Sequence, residues 1–227
     1  MKTQFEPILG ILSPEQFARI EATTVLLVGL GGLGGHVANG LVRLGVKRLF
    51  LVDDDVFEEK NLNRQLFATH DTIGHYKVDA VKQALLSVNP DAELFVFRKR
   101  IEQIESSVIA GSDLIVDGVD DIKTKCLIEA MAKAHGKPLL HGAIGGWYGQ
   151  LGLILPGADL LKMLYGDQEA GLEKVLKCPT FTPAVVANLM VSEFVKFVTD
   201  QKGVLRNRIL SVDVLNHSYD ILLKGDV

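Results

Sequence analysis

The chain has 227 residues, of which 24 are Lys or Arg and 28 are Asp or Glu, so its formal net charge is −4. An acidic balance argues against a dedicated nucleic-acid-binding module, since such domains usually carry a basic surface. Hydrophobic residues make up 48% of the sequence and charged residues 23%, a composition that suits a sizeable buried core and argues against global disorder.

Strands and helices alternate along most of the sequence. Continuous apolar runs predict strands, which cover residues 25–28, 48–53, 94–97, 114–117, 138–140, 150–155, 209–214 and 219–223. Apolar positions at helical spacing, bounded by capping and glycine signals, predict helices, which cover about residues 13–21, 37–44, 77–86, 122–135 and 183–198. The pattern loosens from Gly142 onward and is weakest between residues 156 and 179.

The alternation favours the α/β fold class. We predict a Rossmann-like, doubly wound, largely parallel sheet with an antiparallel C-terminal extension. No linker separates two independently folding units, so we expect a single domain over residues 1–227. Its βαβ core would cover about residues 22–142, and its C-terminal part about residues 143–227.

Sequence features also bear on location. No apolar run approaches the roughly 18 residues that cross a bilayer, and residues 1–7 lack the apolar segment of a secretory signal. The two cysteines, Cys126 and Cys178, form neither a CxxC pair nor a disulfide framework. We therefore expect a cytoplasmic protein with no membrane or nucleic-acid partner. Cys126 shares a predicted buried helix face with Ile122 and Ala130 and is interpreted as a core residue.

A Gly-Leu-Gly-Gly-Leu-Gly sequence follows the first strand and opens a helix, and its glycines are Gly29, Gly31, Gly32 and Gly34. Glycine lets the backbone approach a phosphate, which the free N–H groups of the helix N-terminus then bind. Asp53 ends the second strand, where a carboxylate accepts hydrogen bonds from ribose hydroxyls. These features predict a nucleotide site without separating NAD from ATP. The alternative is a glycine turn kept for tight helix–strand packing.

Two cations flank the polar loop after Asp53. Arg64 lies within the sequence Asn-Leu-Asn-Arg-Gln, and Lys77 begins the next predicted helix. A triphosphate attacked at phosphorus carries about four negative charges that must be offset before an anionic nucleophile approaches. We therefore interpret Arg64 and Lys77 as catalytic cations. The alternative for Lys77 is a solvated residue at a helix start.

The sequence Asp-Gly-Val-Asp-Asp, from Asp117 to Asp121, ends a predicted central strand at the edge where open α/β sheets bind ligands. A carboxylate that faces a triphosphate there is suited to Mg²⁺. We assign the metal, and a catalytic role, to Asp120. Asp121 is predicted to cap the following helix.

Together these motifs resemble the ThiF/MoeB/HesA adenylyltransferases, which are relatives of the ubiquitin-activating enzymes. The resemblance covers roughly residues 13–155 and rests on motifs in family order, namely GLGGLGG, LVDDD, NLNRQ, GHYK, VNP, DGVDD and GKPLLHGAIGGWYGQ. It implies a homodimer that uses ATP and Mg²⁺ to adenylylate the C-terminal Gly-Gly carboxylate of a ubiquitin-like sulfur carrier protein, with release of pyrophosphate. The pathway served would be thiamine, molybdopterin or cysteine synthesis.

The resemblance also implies residue roles. Gly32 would lie in the phosphate turn, Asp53 at the ribose, Asn61 and Arg64 at the phosphates, Lys77 at the attacked phosphate and Asp120 at Mg²⁺, while Gln65 belongs to the nucleotide-binding motif without an assigned contact. Cys178 lies where relatives place a loop cysteine and is a candidate sulfur-relay thiol. The alternative is an incidental loop cysteine.

Three departures from the family pattern stand out. Residues 4–10 contain no arginine, where many relatives carry one that reaches the partner's site. Arg19 is a candidate substitute, although an exposed helix residue is the favoured interpretation. Both zinc-binding CxxC pairs of the family are missing, so no zinc is predicted. Asp121 replaces the usual Asn, and its added negative charge is expected to weaken ATP binding unless Mg²⁺ or Lys123 offsets it.

Three further side chains allow two interpretations each. His141 ends a strand on the ligand side, and a hydrogen-bonded structural role is favoured over a catalytic one. Trp147 and Tyr148 either line a groove for the Gly-Gly tail or are half-buried packing residues.

Two other functions remain open. An NAD-dependent oxidoreductase would explain the glycine motif and Asp53, but it leaves Arg64 and Lys77 without a role. A catalytically weak nucleotide-binding partner subunit of the same superfamily would explain the missing N-terminal arginine. The joint presence of Arg64, Lys77 and Asp120 counts against that interpretation.

Overall fold

The computed structural model describes residues 3–166 and 176–224. Its strands are β1 (Thr24–Val28), β2 (Arg48–Val52), β3 (Glu93–Phe97), β4 (Leu114–Asp117), β5 (Leu139–Gly145), β6 (Tyr148–Ile154), β7 (Arg208–Asp213) and β8 (Ser218–Lys224). Its α-helices are α1 (Pro14–Ala22), α2 (Gly32–Arg43), α3 (Lys77–Val88), α4 (Ser106–Ala110), α5 (Ile122–Ala134), α6 (Leu160–Tyr165) and α7 (Phe181–Val198). Short 3₁₀ helices cover Thr3–Gly10, Glu59–Asn61 and Ile101–Gln103.

The described strands form one eight-stranded sheet in the order β3-β2-β1-β4-β5-β6-β7-β8. Neighbouring strands are parallel from β3 through β5 and antiparallel from β5 through β8. This arrangement confirms the predicted fold class. The strand order reverses beside β1, so a crevice opens at the carboxyl ends of β1 and β4, where α/β sheets bind ligands.

The sheet separates two hydrophobic layers. On β1, Val25 and Leu27 join the core under α2 and α7, whereas Leu26 and Val28 join the core under α5 and α6. All five residues of β1 are buried. A strand covered on both faces has no polar face to alternate with, which is why its sequence is a continuous apolar run.

Strand β5 continues five residues beyond its predicted end at residue 140. Glycine disfavours strands, and the run from Gly142 hides this extension in the sequence. The tertiary structure explains the glycine, because a Cβ added at Gly142 would lie 2.3 Å from Sδ of Met190 and 2.8 Å from Cδ2 of Leu33. The short helices α4 and α6 were likewise not predicted. Residues 167–175, within the weakest part of the prediction, lie outside the described residues.

Helix α7 has 18 residues and a mean hydropathy of 1.4, so by length and composition it would qualify as a membrane span, contrary to the expectation from sequence. Its tertiary contacts give another reason for the apolar composition. Val186, Met190 and Phe194 are fully buried in the core beneath the helix. A core helix of this kind passes the same length and hydropathy test, so the test is weak evidence for a membrane span.

The predicted buried face of α5 is partly wrong. Ile122 is buried, but Cys126 is only half-buried and Ala130 is exposed. The buried face carries Lys125 and Glu129 together with three apolar residues. Apolar periodicity points to the wrong side of this helix because two of its inward positions are charged, and each charge has a buried partner.

Candidate active site

A cleft of about 680 Å³ opens at the carboxyl ends of β1, β2 and β4. It is lined by most of the residues that the sequence analysis singled out, namely Gly29, Gly31, Gly32, Asp53, Arg64, Gln65, Lys77 and Asp120. Two predicted nucleotide-binding residues, Gly34 and Asn61, are not part of its lining. Segments far apart in the sequence thus meet at one edge of the sheet.

The glycine turn serves both the cleft and the packing beneath it. Gly29 has a φ of +87°, which disfavours other residues, and an added Cβ would lie 2.8 Å from the Gly118 backbone. At Gly34 an added Cβ would lie 1.8 Å from the carbonyl oxygen of Gly29. Gly34 therefore permits the close approach of α2 to β1, while Gly31, the N-cap residue of α2, and Gly32 face the cleft. The helix N-terminus is thereby directed at an anion site.

Asp53 connects the glycine turn to the loop after β2. Its Oδ2 accepts a hydrogen bond of 2.7 Å from the Leu30 N–H, and its Oδ1 accepts one of 2.9 Å from the Asp55 N–H. Burial raises the pKa of the Asp53 carboxyl above its ordinary value, although Lys77 and the two N–H donors oppose the shift. Each carboxylate oxygen keeps a further lone pair, so the ribose contact stays a prediction.

Lys77 is not a solvated residue at a helix start. Its side chain is only 7% exposed, and its Nζ lies 2.7 Å from Oδ2 of Asp55, whose side chain is 68% exposed. A cation at the first turn of a helix faces the positive end of the helix dipole, and this ion pair offsets that repulsion. Arg98 supports the start of α3, since its guanidinium lies 4.7 Å from the ring centre of Tyr76 and its Nε pairs with Asp79 at 2.8 Å.

Arg64 lies where the cleft meets a second cavity, which is lined in part by Lys177 and Cys178. Its Nη1 donates to the carbonyl oxygen of Lys60 at 2.9 Å and to Oδ1 of Asn63 at 3.0 Å. The Asn63 side chain in turn donates to the Cys178 carbonyl oxygen at 3.3 Å. Cys178 therefore lies beside the Asn-Leu-Asn-Arg-Gln motif, a proximity that sequence separation conceals.

Asn61 shapes the loop instead of lining the cleft. Its side-chain Oδ1 accepts a 2.9 Å hydrogen bond from the Glu58 N–H, and its carbonyl oxygen accepts from the backbone N–H groups of Arg64 and Gln65. A direct phosphate contact from Asn61 is therefore not what this arrangement favours.

Gln65 is buried beside the glycine turn. Within the described residues, its Oε1 is a buried side-chain acceptor with no hydrogen-bond donor. Such an acceptor costs free energy unless a donor reaches it. Because Gln65 lines the cleft, a bound ligand is the natural source of that donor.

In the acidic turn after β4, Asp121 has its predicted role as a helix cap. Oδ2 of Asp121 accepts from the N–H of Thr124 at 2.8 Å and from its hydroxyl at 2.9 Å, which confirms the N-cap of α5. Asp120 is exposed and lines the cleft, and among residues 3–166 and 176–224 its carboxylate has no hydrogen-bond or ion-pair partner. Its hard oxygen donors suit Mg²⁺.

Sequence reasoning missed three basic residues that line the cleft, namely Lys99, Arg100 and the buried Lys125. Arg100 pairs with Asp54 at 3.0 Å, and Lys99 pairs with Glu105 at 2.7 Å. For Lys99 and Arg100 the signal was present as the basic run Arg-Lys-Arg directly after β3. Carboxylate oxygens of Asp53, Asp54 and Asp55 lie within 4.8 Å of one another, and the cations opposite Asp54 and Asp55 offset this negative charge.

The remaining candidates are placed as follows. His141 is fully buried and its Nδ1 lies 2.7 Å from Oδ2 of Asp117, an arrangement that agrees with the structural interpretation. Trp147 packs on Phe181 with ring centres 4.5 Å apart, whereas Tyr148 lines the cleft. Arg19 forms an exposed ion pair with Asp200 and is not part of the cleft lining.

Solved structures share this fold. The chain superposes on E. coli MccB bound to ATP with a TM-score of 0.79 at 18% identity, covering 99% of this chain and 72% of that one. It superposes on PaaA with a TM-score of 0.77 at 20% identity, covering 93% of this chain and 67% of that one. At these identities the likeness shows the fold alone.

Sequence comparison goes further. The SAMP-activating enzyme E1 of Haloferax volcanii is 30% identical over 220 residues, which cover 94% of this chain and 81% of the relative. The sulfur carrier protein adenylyltransferase of Thermus thermophilus is also 30% identical and covers 93% of this chain and 82% of the relative. The probable molybdopterin-synthase adenylyltransferase of Pyropia yezoensis is 29% identical, and the match spans only 58% of its length.

A family model matches nearly the whole chain, from residue 5 to residue 225. The matched region includes the glycine turn, the loop with Arg64, the start of α3 and the acidic turn after β4. Together with the two 30% identical relatives, this match shows that the chain belongs to the ThiF family.

Proposed function

We propose that the chain adenylylates the C-terminal Gly-Gly carboxylate of a ubiquitin-like sulfur carrier protein. The observation that carries this proposal is the cleft itself, in which a helix N-terminus, the cations Arg64 and Lys77, and an Asp120 carboxylate with no partner among the described residues surround one space. The names of two relatives, a sulfur carrier protein adenylyltransferase and a SAMP-activating enzyme, supply the substrate class.

In the proposed reaction, a carboxylate oxygen of the carrier attacks the α-phosphorus of ATP. The new bond joins this oxygen to the α-phosphorus and completes a C–O–P linkage. The bond between the α-phosphorus and its bridging oxygen breaks, and pyrophosphate leaves with the electron pair. Attacker and leaving group are both anionic, so catalysis depends mainly on positioning and charge neutralisation. The chain's contribution is therefore electrostatic.

Each part of the cleft has a place in this chemistry. The N-terminus of α2 and the glycine turn bind phosphate oxygens, and Arg64 and Lys77 offset the charge that develops on them. Asp55 holds the Lys77 ammonium at the cleft before nucleotide arrives. Asp55 is largely exposed, so water hydrates its carboxylate when Lys77 pairs with a phosphate instead.

The cleft also fits ATP and Mg²⁺ on its own geometry. In the part of the chain that the structure describes, Oε1 of Gln65 has no donor and the Asp120 carboxylate has no partner. A ribose hydroxyl would donate to Gln65, and the carboxylate of Asp120 is suited to hold Mg²⁺. When bound, the ion would supply charge neutralisation at the phosphates. Asp121 caps α5, so the positive end of the helix dipole offsets part of its negative charge. Asp121 should therefore weaken ATP binding less than its charge alone would.

We extend the proposal to a homodimer in the cytoplasm that serves thiamine, molybdopterin or cysteine synthesis. The family resemblance supports these points. A catalytically weak partner subunit is the second candidate, favoured by the missing N-terminal arginine. An NAD-dependent oxidoreductase is disfavoured, because Arg64 and Lys77 both line the cleft and hydride transfer needs neither.

The test is ATP–pyrophosphate exchange with a panel of carrier proteins that end in Gly-Gly, compared among the wild type, Asp120→Ala and Asp71→Ala. Asp71 is exposed and outside the cleft, so its variant is a matched control for loss of one surface carboxylate. We expect carrier-dependent exchange in the wild type and in Asp71→Ala but not in Asp120→Ala. Clear Mg·ATP binding without exchange for any carrier would favour the partner-subunit function. Wild-type exchange in Asp120→Ala would contradict the metal assignment.

A further inference from the structure

Three ionisable side chains meet in the interior at the wall of the cleft, which Lys125 helps to line, and we call Asp117, Lys125 and His141 the buried triad. Asp117 and His141 are fully buried and Lys125 is 2% exposed. Lys125 Nζ lies 3.2 Å from each carboxylate oxygen of Asp117 and 2.8 Å from the Gly142 carbonyl oxygen. His141 Nδ1 lies 2.7 Å from Oδ2 of Asp117. The proposed chemistry makes no direct use of any of the three.

The donors and acceptors of the triad assign its charges. Burial alone would raise the pKa of Asp117, but the Lys125 ammonium and the His141 hydrogen bond outweigh it and hold the pKa below its ordinary value. Burial lowers the pKa of His141. The triad therefore holds an ionised Asp117, a protonated Lys125 and a neutral His141 that donates from Nδ1.

The free nitrogen of His141 is satisfied on its other side. Its Nε2 lies 3.3 Å from the Tyr165 hydroxyl and 3.3 Å from the Gln150 side-chain nitrogen, and Gln150 donates to the Tyr165 hydroxyl oxygen at 2.6 Å. Each of these hydrogen bonds has one donor and one acceptor. The triad is therefore complete without a ligand, and its place in the function has to be sought in what it holds.

Asp117 holds the backbone of the acidic turn. Its Oδ1 accepts a 3.1 Å hydrogen bond from the N–H of Val119, the residue directly before Asp120. Gly118 packs against the glycine turn, since a Cβ added there would lie 2.8 Å from the Gly29 carbonyl oxygen. The turn that carries Asp120 is thus fixed between the triad on one side and the phosphate turn on the other.

A buried ion pair is a costly way to fill this space, because a well-packed apolar pair of similar volume is often as stabilising or more so. What apolar side chains lack is a carboxylate that accepts the Val119 N–H and fixes the turn. We propose that Asp117, with Lys125 and His141, is a positioning residue that sets the place of Asp120 relative to the nucleotide. This inference rests on the proposed function, in which Asp120 holds Mg²⁺.

The main variant is the double substitution Asp117→Leu with Lys125→Met, which removes both charges, leaves neither one buried alone and removes the acceptor of the Val119 N–H. Glu193→Gln is the control for loss of a buried carboxylate outside the cleft. Glu193 is also a buried carboxylate that accepts a backbone N–H, that of Leu205 at 2.9 Å, and it pairs with Lys196, but it belongs to α7 and not to the cleft. Calorimetry of ATP binding with Mg²⁺ and with chelator is the readout, with hydrogen exchange of the Val119 amide beside it.

We expect the double variant to lose about 10–100-fold in affinity for Mg·ATP, the usual effect of removing support around a metal-binding residue. Its affinity for metal-free ATP should stay unchanged, its Val119 amide should exchange faster, and Glu193→Gln should match the wild type in all three. A merely structural role would lower stability without separating the two ATP affinities. Unchanged Mg·ATP affinity despite faster Val119 exchange overturns the inference, and so does an equal loss with and without Mg²⁺.

A second pair of variants decides the matter if the double variant does not fold. His141→Ala removes a neutral donor and leaves no buried charge unpaired, so it should lower Mg·ATP affinity in the same direction and by less. His141→Asn restores an N–H donor and should recover the affinity, and failure of both effects overturns the inference. Wild-type Mg·ATP binding without exchange for any carrier would instead count against the proposed function alone. A wild type that binds no Mg·ATP overturns both.

Discussion

The parallel and antiparallel parts of the sheet use their unusual residues in different ways. In the parallel part, carboxylates at strand ends bind backbone N–H groups of neighbouring turns, as Asp53 does with Leu30 and Asp117 with Val119. In the antiparallel part, glycines allow close approach, as at Gly152, where an added Cβ would lie 2.2 Å from the Arg208 carbonyl oxygen. Substitution of such a carboxylate should therefore alter the site, and substitution of such a glycine should alter the stability.

The largest expected effect tests the first half of this comparison. Lys77→Met should lower adenylylation by about 10²–10³-fold, the usual result of removing one preorganised electrostatic contact to a transition state. The free energy of unfolding should change by less than about 0.5 kcal/mol, because Met fills a similar volume and the partner Asp55 remains hydrated. Pyrophosphate exchange and urea unfolding measure the two quantities.

Lys202→Met provides the control for loss of one lysine at an exposed position in the loop after α7. It should leave both quantities at the wild-type value. If Lys77→Met destabilised the fold as strongly as it reduced exchange, Lys77 would be a packing residue, and the separation between the two parts of the sheet would fail.

The next effect tests the antiparallel part. Gly152→Ala should lower the free energy of unfolding by about 1–3 kcal/mol, because its Cβ meets the backbone of β7 and the strand must shift. Exchange per folded molecule should stay at the wild-type value, since Gly152 is not part of the cleft lining. Gly10→Ala is the matched control, because nothing lies within 4 Å of its added Cβ.

The smallest effect concerns Glu129, on α5 where the two parts of the sheet join. Its Oε1 accepts the Leu161 N–H at 2.9 Å, and burial raises the pKa of its carboxyl above the ordinary 4.5, although backbone donors oppose the shift. A raised folded-state pKa means that the native state binds the proton more tightly. The stability from this group is therefore fully present at low pH and is lost as pH rises through the folded-state pKa.

Glu129→Gln keeps the acceptor but cannot ionise. Its stability relative to the wild type should therefore rise with pH above 4.5 and level off once the wild-type carboxyl is ionised. Urea unfolding of both proteins from about pH 4 to about pH 7 measures the difference. A difference that does not vary with pH would show that burial of the charge is not what the substitution relieves.

Sequence alone went furthest where one segment carries its own signal. The buried runs of β1 and β4 and the N-cap at Asp121 depend on neighbours a few residues away, and all three were predicted. The fold class followed from the same local patterns. This prediction succeeded because a parallel strand that is covered on both faces is apolar along nearly its whole length, and such a run is recognisable in the sequence.

Local patterns failed where distant segments set the environment. On α5, apolar spacing placed Cys126 and Ala130 on the buried face, whereas the inward side carries Lys125, which Asp117 and the Gly142 carbonyl oxygen hold in the interior. At Gly142 the sequence favours a strand end, but Met190 and Leu33 leave no room there for a side chain. Neither cause is visible within a window of neighbouring residues.

The sequence by itself determined the order of the eight strands and of the five longer α-helices, and the supply of glycine, cations and carboxylates for one edge of the sheet. Only the tertiary structure decided that Lys77 pairs with Asp55 and that Cys178 lies beside Asn63. It also decided that the Asn61 side chain accepts a hydrogen bond within its own loop. The physical reason is the distance along the sequence over which each effect acts. Backbone preferences and apolar periodicity act over a few residues, whereas pairing and desolvation of charge depend on which segments the folded sheet brings together.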